Sequence, residues 1–292
     1  MMINLQAKVV KKHQSRNKKL SSSAKNVFLG TIINPIMDFT FQHIETVDST
    51  NAFLQRLQGT SEINGFVVSA DEQTAGKGMG SNSWESAKGL NLTFSVAFDM
   101  SWLLAAEQFL LSQLVPLGIL EVLDNYLPKE QLKIKWPNDI YYDGHKLGGI
   151  LINNTISGNF LDKSIVGIGL NVNQMEFTDW PTLPISMKMI MGKDYDLKSL
   201  MGEIVRHIGN LIEEVRGLSL NRIQIRNSIN DKYYARLYRY HEWADYETRG
   251  QILKLFMSGI DPFGRLQLID DIQHQHTYDI KEIRFVNQIE QR

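Results

Sequence analysis

Residues 132–152 read LKIKWPNDIYYDGHKLGGILI, and the punctuation of this stretch governs the reading of the chain around it. Leu132–Trp136, where lysines alternate with apolar residues, and Ile140–Tyr142 read as short strands. Between them Trp136–Pro137 fixes a turn and leaves Asn138 and Asp139 displayed at a strand end. Asp143–Gly144 is a hairpin signal, because both residue types tolerate the positive φ of a tight turn. Lys146–Ile152 then pairs back and returns Lys146 to the side of Asn138 and Asp139. Gly148 and Gly149 leave that strand with no side chain to obstruct a ligand. A purely structural hairpin, with a surface ion pair between Asp139 and Lys146, explains the same residues.

Upstream, Phe39–Val47, Gly65–Ala70 and Leu90–Phe98 read as strands. Asp48–Ser49–Thr50 supplies N-cap residues for a short helix carrying Ala52, Phe53, Leu54 and Leu57. Ser101–Leu127 is expected to be largely helical, with Pro116 as a kink or break. Downstream, Ser164–Asn171 is another strand. Asp196 caps an amphipathic helix in which Leu197, Leu200, Ile204, Val205, Ile208, Leu211, Ile212 and Val215 recur at three- and four-residue steps. The end of the chain switches to short alternating strands, Gly250–Ile260, Arg265–Ile269 and His276–Phe285, with a turn at Asp261–Gly264. This pattern predicts an α+β domain with a small β-barrel appended. His274 and His276 alternate on a strand and read as a solvated edge, since no third ligand is near in sequence. Asp270–Asp271 reads as a turn.

Composition narrows the chemistry. The chain has 292 residues, 43% of them hydrophobic, enough for one large domain and a small one. It has no cysteine, which excludes disulfides, thiolate metal sites and thiol nucleophiles. Its most apolar stretch, Phe109 to Leu123, is too short and too interrupted to span a bilayer. The first 37 residues hold seven Lys or Arg and no acid, and read as a basic, disordered extension. Asp38–Arg292 then carries 24 basic and 32 acidic residues, a net charge of −8, so nucleic acid is not an expected partner of the body. A reducing cytoplasm is the expected compartment.

Three other segments carry candidate chemistry. Gln73–Trp84, QTAGKGMGSNSW, has glycines at alternate positions that let backbone N–H groups approach an anion, and Lys77 adds a charge. Its spacing is neither the dinucleotide fingerprint nor the phosphate-binding loop of nucleotide hydrolases; a plain surface loop is the competing reading. Gly167-Ile168-Gly169-Leu170-Asn171 ends a strand in small residues and an amide. Asp48-Ser49-Thr50-Asn51 is an N-cap cluster whose polar groups are also able to hydrogen-bond a small ligand.

Together, DSTN (Asp48–Asn51), QTAGKGMGSNSW, KWPNDI (Lys135–Ile140), KLGGIL (Lys146–Leu151) and GIGLNVN (Gly167–Asn173) resemble the biotin protein ligase family, over roughly Phe39 to Val286. The resemblance implies a mixed sheet with helices on one face and an SH3-like C-terminal barrel, with divisions at 1–37, 38–238 and 239–292. It implies the short class without an N-terminal DNA-binding domain. The implied reaction joins biotin to ATP as biotinyl-5′-AMP, with Mg²⁺ bridging the phosphates, and then transfers biotin to a lysine of a biotin carboxyl carrier protein domain. By the same resemblance Ser49, Thr50, Asn51 and Gln73 contact the biotin head group. Gly76, Lys77, Gly78 and Met79 form a loop over biotin and phosphate, and Gly149 lies against biotin. Lys146 stabilises charge between carboxylate and α-phosphate, with Lys77 and Asp139 as further catalytic residues. Trp84, Asn138 and Asn171 hold the nucleotide, Asn138 near its metal. The loop departs from the commonest family pattern, which has arginines where Lys77 and Met79 stand. Lysine loses the bidentate fork and methionine loses the charge, which implies looser retention of the adenylate. The resemblance allows a homodimer. Competing readings are a lipoate or octanoate ligase or transferase of the same architecture, and a biotin-binding protein without turnover.

Overall fold

The computed structural model describes residues 37–59, 62–80, 82–177, 183–217 and 222–286. The expected basic extension, apart from Met37, and Ser81 of the glycine loop lie outside the described residues. The described residues fall within the unit Ile36–Arg292.

The hairpin read from residues 132–152 is present. β4 (Leu132–Lys135), β5 (Asp139–Tyr142) and β6 (His145–Ser157) form an antiparallel run, extended by β7 (Phe160–Leu170). Asp143 and Gly144 turn the chain between β5 and β6 at φ 47° and 78°, the positive pair a two-residue hairpin needs. The peptide bond between Trp136 and Pro137 is cis. β1 (Thr40–Val47), β2 (Phe66–Gln73) and β3 (Leu92–Asp99) complete a seven-stranded sheet in the order β1-β2-β3-β7-β6-β5-β4. The β1–β2 pair is parallel and the remaining pairs are antiparallel, so the sheet is mixed.

The two faces of this sheet do different work. Residues alternate sides along a strand, so Val67, Phe94, Val96, Phe98, Val166 and Ile168 point one way, into the large core. On that core lie α2 (Phe109–Leu123) and α4 (Leu197–Gly217), whose Leu200, Ile204, Val205, Ile208 and Ile212 are buried. Each such aliphatic contributes about 1.5–3 kcal/mol on burial. A Cβ at Gly118 of α2 would meet Ile208 Cγ1 at 2.8 Å, so glycine is what lets the two helices cross closely. Asp196 caps α4 by accepting from Ser199 N at 2.7 Å.

Val68, Ala97 and Ile165 point the other way, against Leu54 and Ile63. Here α1 (Thr50–Gln58) packs, with Ser49 as its N-cap. The longer helices share one face, as the resemblance implies; the short α1 takes the opposite one.

Two expectations on helices need revision. Ser101–Leu127 is not one helix, since α2 begins only at Phe109 after a 3₁₀ turn at Ala105–Glu107. Pro116 lies inside α2 without ending it. Twelve of its 15 residues are buried, and that packing outweighs the roughly 3 kcal/mol a helix-interior proline costs. Two helices were not expected from sequence: α3 (Met187–Met191) and α5 (Arg222–Arg236). The first is only five residues long; the second lacks a clean apolar stripe.

The C-terminal strands form a separate five-stranded sheet, β11-β10-β9-β8-β12, from β8 (Trp243–Thr248), β9 (Gln251–Ile260), β10 (Leu266–Ile269), β11 (Gln275–Tyr278) and β12 (Arg284–Phe285). The expected strand 276–285 is divided in two by a turn after Asp279, where Glu282 N donates to the Asp279 carbonyl. Asp270 closes its own turn by accepting from Ile272 N, His274 N and His276 Nε2.

Candidate active site

The face bearing α1 loses its side chains towards the ends of β6 and β7. Gly149 pairs with Gly169 across the two strands, and Gly167 with Ser95 on β3. These positions are occupied from above. A Cβ at Gly169 would overlap the Trp84 ring, and one at Gly167 would overlap the Asn51 amide. At Gly149 it would sit 3.4 Å from Trp84, 3.5 Å from Asp139 Oδ1 and 3.6 Å from Lys146 Cε. The glycines therefore lower the strand surface so that an indole, an amide and a lysine can gather over it.

A cavity of about 430 Å³ opens there, within the range of small-molecule sites. Part of its wall is polar. Thr50 donates both its N–H (2.8 Å) and its hydroxyl (3.1 Å) to Gln73 Oε1, which leaves the Gln73 amide N–H groups as donors. The hydroxyl of Ser95, fully buried, lies 2.7 Å from Thr50 Oγ1 and 2.5 Å from Asn51 Oδ1. Asn51 Nδ2 donates to Leu151 O and to Asn153 Oδ1. Asp48 faces away; the Arg56 guanidinium beside it holds its carboxyl well below the usual carboxylate range.

In the same wall Lys146 Nζ meets Asp139 Oδ1 at 2.8 Å, both side chains about four-fifths shielded from solvent (22% and 18% exposed), with the amine 5.9 Å from the centroid of the Trp84 ring. The Lys146 backbone is fixed on two sides. Its N–H donates to Leu183 O, and its carbonyl accepts from Ile185 N and from Asn171 Nδ2. Partial burial strengthens such a pair beyond a surface one. The glycine loop makes a small ladder of its own: Gly78 N donates to Asn82 O at 2.8 Å and Trp84 N to Gly76 O at 3.0 Å.

Residues 43–171 match the model of the Biotin/lipoate A/B protein ligase family. That match takes in Ser49–Asn51, the glycine loop, Lys146 and Asn171. Biotin–protein ligase 1, chloroplastic, of Arabidopsis thaliana is 39% identical over 111 residues, 37% of this chain and 30% of that protein. The biotin–[acetyl-CoA-carboxylase] ligase of Mycobacterium tuberculosis is 33% identical over 136 residues, 43% of this chain and 47% of that protein. The chain spans about a third of the length of the plant ligases it matches. Among solved structures, the biotin protein ligase from Aquifex aeolicus in complex with biotin and ATP superposes with a TM-score of 0.65. The match covers 85% of this chain and 99% of that one at 22% identity, which speaks for the fold.

Of the residues named from the family motifs, the cavity is lined by Ser49, Thr50, Asn51, Gln73, Lys77, Gly78, Met79, Trp84, Asn138, Asp139, Lys146 and Gly149. Gly76 and Asn171 are not in its wall. Gly76 lies behind the loop, against the Trp84 backbone. Asn171 is 3% exposed, and its Oδ1 is buried without a hydrogen bond among the described residues. Asn138 spends its amide N–H on Ile150 O at 2.6 Å, which leaves its oxygen to accept. Sequence reasoning missed Ser95 and Asn153, which bond Thr50 and Asn51 from behind the wall, and the wall supplied from the C-terminal region by Ile280, Ile283, Arg284 and Phe285. Ser95 had a signal, since it alternates with apolar residues along β3 and so had to face α1; the C-terminal wall had none.

Proposed function

We propose that this chain activates biotin with ATP and transfers it to a lysine of a biotin carboxyl carrier domain. One observation carries the reading: a shielded Lys146–Asp139 pair and a polar Thr50–Gln73 pair, the latter backed by Ser95, line one cavity over the bare strand surface. A bicyclic ureido acid has matching groups. Its ring carbonyl suits the Gln73 amide donors and its N–H groups suit the hydroxyl oxygens of Ser49 and Thr50. Its carboxylate suits the Lys146 ammonium.

In the first half-reaction a carboxylate oxygen bonds to the α-phosphorus while the bond to pyrophosphate breaks. Negative charge builds on the phosphoryl oxygens beside the carboxylate. Lys146, already placed by Asp139 and by its backbone bonds, stabilises that charge without reorganising. In the second, the acceptor amine attacks the acyl carbon and AMP leaves with the former carboxylate oxygen. The chain supplies positioning and charge rather than a nucleophile. Lys77 lies on the loop side of the cavity to meet phosphate charge, and Met79 adds none. Mg²⁺ binds oxygen and keeps most of its ligands as phosphate and water. The Asn138 carboxamide oxygen, in the cavity wall, fits such an ion. When bound, it would offset charge on the phosphates.

The polar cluster favours biotin over lipoate, whose dithiolane ring offers no hydrogen-bonding edge. Incubation with ATP, labelled biotin and a carrier domain tests the proposal. The expected result is labelled carrier and released pyrophosphate; release with lipoate but not with biotin would overturn it.

A further inference from the structure

Four of the five residues Lys135 to Asp139 grip other parts of the molecule through their side chains. Lys135 Nζ donates to Tyr141 Oη at 2.7 Å and lies 5.3 Å from the centroid of the Phe285 ring. Trp136, 3% exposed, donates its indole N–H to the carbonyl of Gly264 at 2.9 Å. Asn138 is stitched to Ile150 in both directions, at 2.6 and 2.9 Å. Asp139 holds Lys146. The near end of this run is thus fastened to the C-terminal sheet and the far end to the amine that the proposed reaction needs.

The anchor is itself fixed. Gly264 sits at φ 89°, and a Cβ there would come 2.8 Å from the Phe109 ring, so its turn is wedged against the start of α2. Asp261 locks that turn by accepting from Phe263 N and Arg265 N, each at 2.9 Å. A second join between this sheet and the body, from Tyr234 of α5 to the backbone of Ile260, does not involve these five residues.

We propose that Trp136 is a positioning residue: its bond to Gly264 lets the C-terminal sheet set where Asp139, and through it Lys146, stands. Three peptide units separate Trp136 from Asp139, and the Lys135–Asp139 strand pair closes that short loop. Loss of the anchor therefore shifts Asp139 rather than dissipating along the chain. A displacement near 1 Å at a reacting centre costs up to about a hundredfold in rate. The biotin head-group cluster, on α1, β2 and β3, does not share this path.

The inference rests on the ligase reading, and the test separates the two. Biotin-dependent exchange of pyrophosphate into ATP is measured for the wild-type chain, for Trp136→Phe, which keeps an aromatic six-membered ring and loses the pyrrole ring with its N–H, and for Ser258→Ala. The last breaks another bond of the same sheet, Ser258 Oγ to Gln267 O, away from Trp136. Trp136→Phe is expected to lower kcat about tenfold while the KM for biotin stays within about twofold. Ser258→Ala is expected to lower Tm to a similar degree with kcat unchanged. An unchanged kcat in Trp136→Phe, a KM that rises with the fall in kcat, or an equal loss in Ser258→Ala would overturn the inference alone. No exchange in the wild type would remove the ligase reading and this inference with it.

Discussion

Lys146 owes its position to spacing as much as to charge. The two-residue turn at Asp143–Gly144 sets the register that brings its amine to Asp139 and its backbone to Leu183 and Ile185. Lys146→Ala should reduce adenylate formation about 10²–10³-fold while the circular dichroism spectrum is retained. Normal turnover in that variant would remove the central role assigned to the amine. Gly169 makes a different kind of claim. Any side chain there collides with the Trp84 ring, so Gly169→Ala should raise the KM for biotin several-fold with little change in Tm. A variant that binds biotin as the wild type does would show that the ring is free to retreat. At this scale the sequence was informative where chemistry and turn rules coincide, as at KWPND and KLGG. Asn171 was expected in the site and instead lies behind Lys146, because a position just past a strand end does not say which way the side chain turns. Ser95 belongs to no motif, and its one signal was its alternation with the apolar residues of β3.

Among the elements, α4 was legible end to end, since its cap and its stripe agree. Its central contact is Ile208, fully buried beneath Gly118 of α2. Ile208→Ala should destabilise the fold by about 2–5 kcal/mol, read as a lower urea midpoint with an unchanged slope. A loss under about 0.5 kcal/mol would mean that this crossing is not part of the cooperative core. The extent of α2 was misjudged for a physical reason. Periodicity does not distinguish a helix buried all round from an apolar loop, and a buried proline is tolerated when the surrounding contacts are strong. α5 escaped notice because its polar surface is interrupted by isolated apolar residues rather than a stripe.

Across the whole molecule, an α+β body with an appended β-sheet was readable from strand spacing. What sequence could not supply was contact between the two sheets, which depends on residues more than a hundred positions apart, such as Trp136 and Gly264. The C-terminal sheet also carries an acid sensitivity. The His276 side chain beside Asp270 holds its carboxyl below the ordinary range. Burial pushes the Asp261 carboxyl up, but hydrogen bonds from Arg265 and Phe263 outweigh it and leave the group depressed. Carboxyls lowered in the folded state stabilise it above their unfolded pKa of about 3.9 and lose that contribution as pH falls through the folded value. Thermal stability should therefore be level above about pH 5 and decline below about pH 4, more shallowly in Asp270→Asn. An identical acid profile in that variant would show that Asp270 is not a source of the effect.

The indole lying across Gly169, with the Lys146 amine close by, makes a built-in optical reporter. Anything that settles in the groove must change the polarity around that ring or move the neighbouring charge. Occupancy then becomes visible as a change in ultraviolet emission, and ligands can be ranked on the unlabelled chain without waiting for turnover.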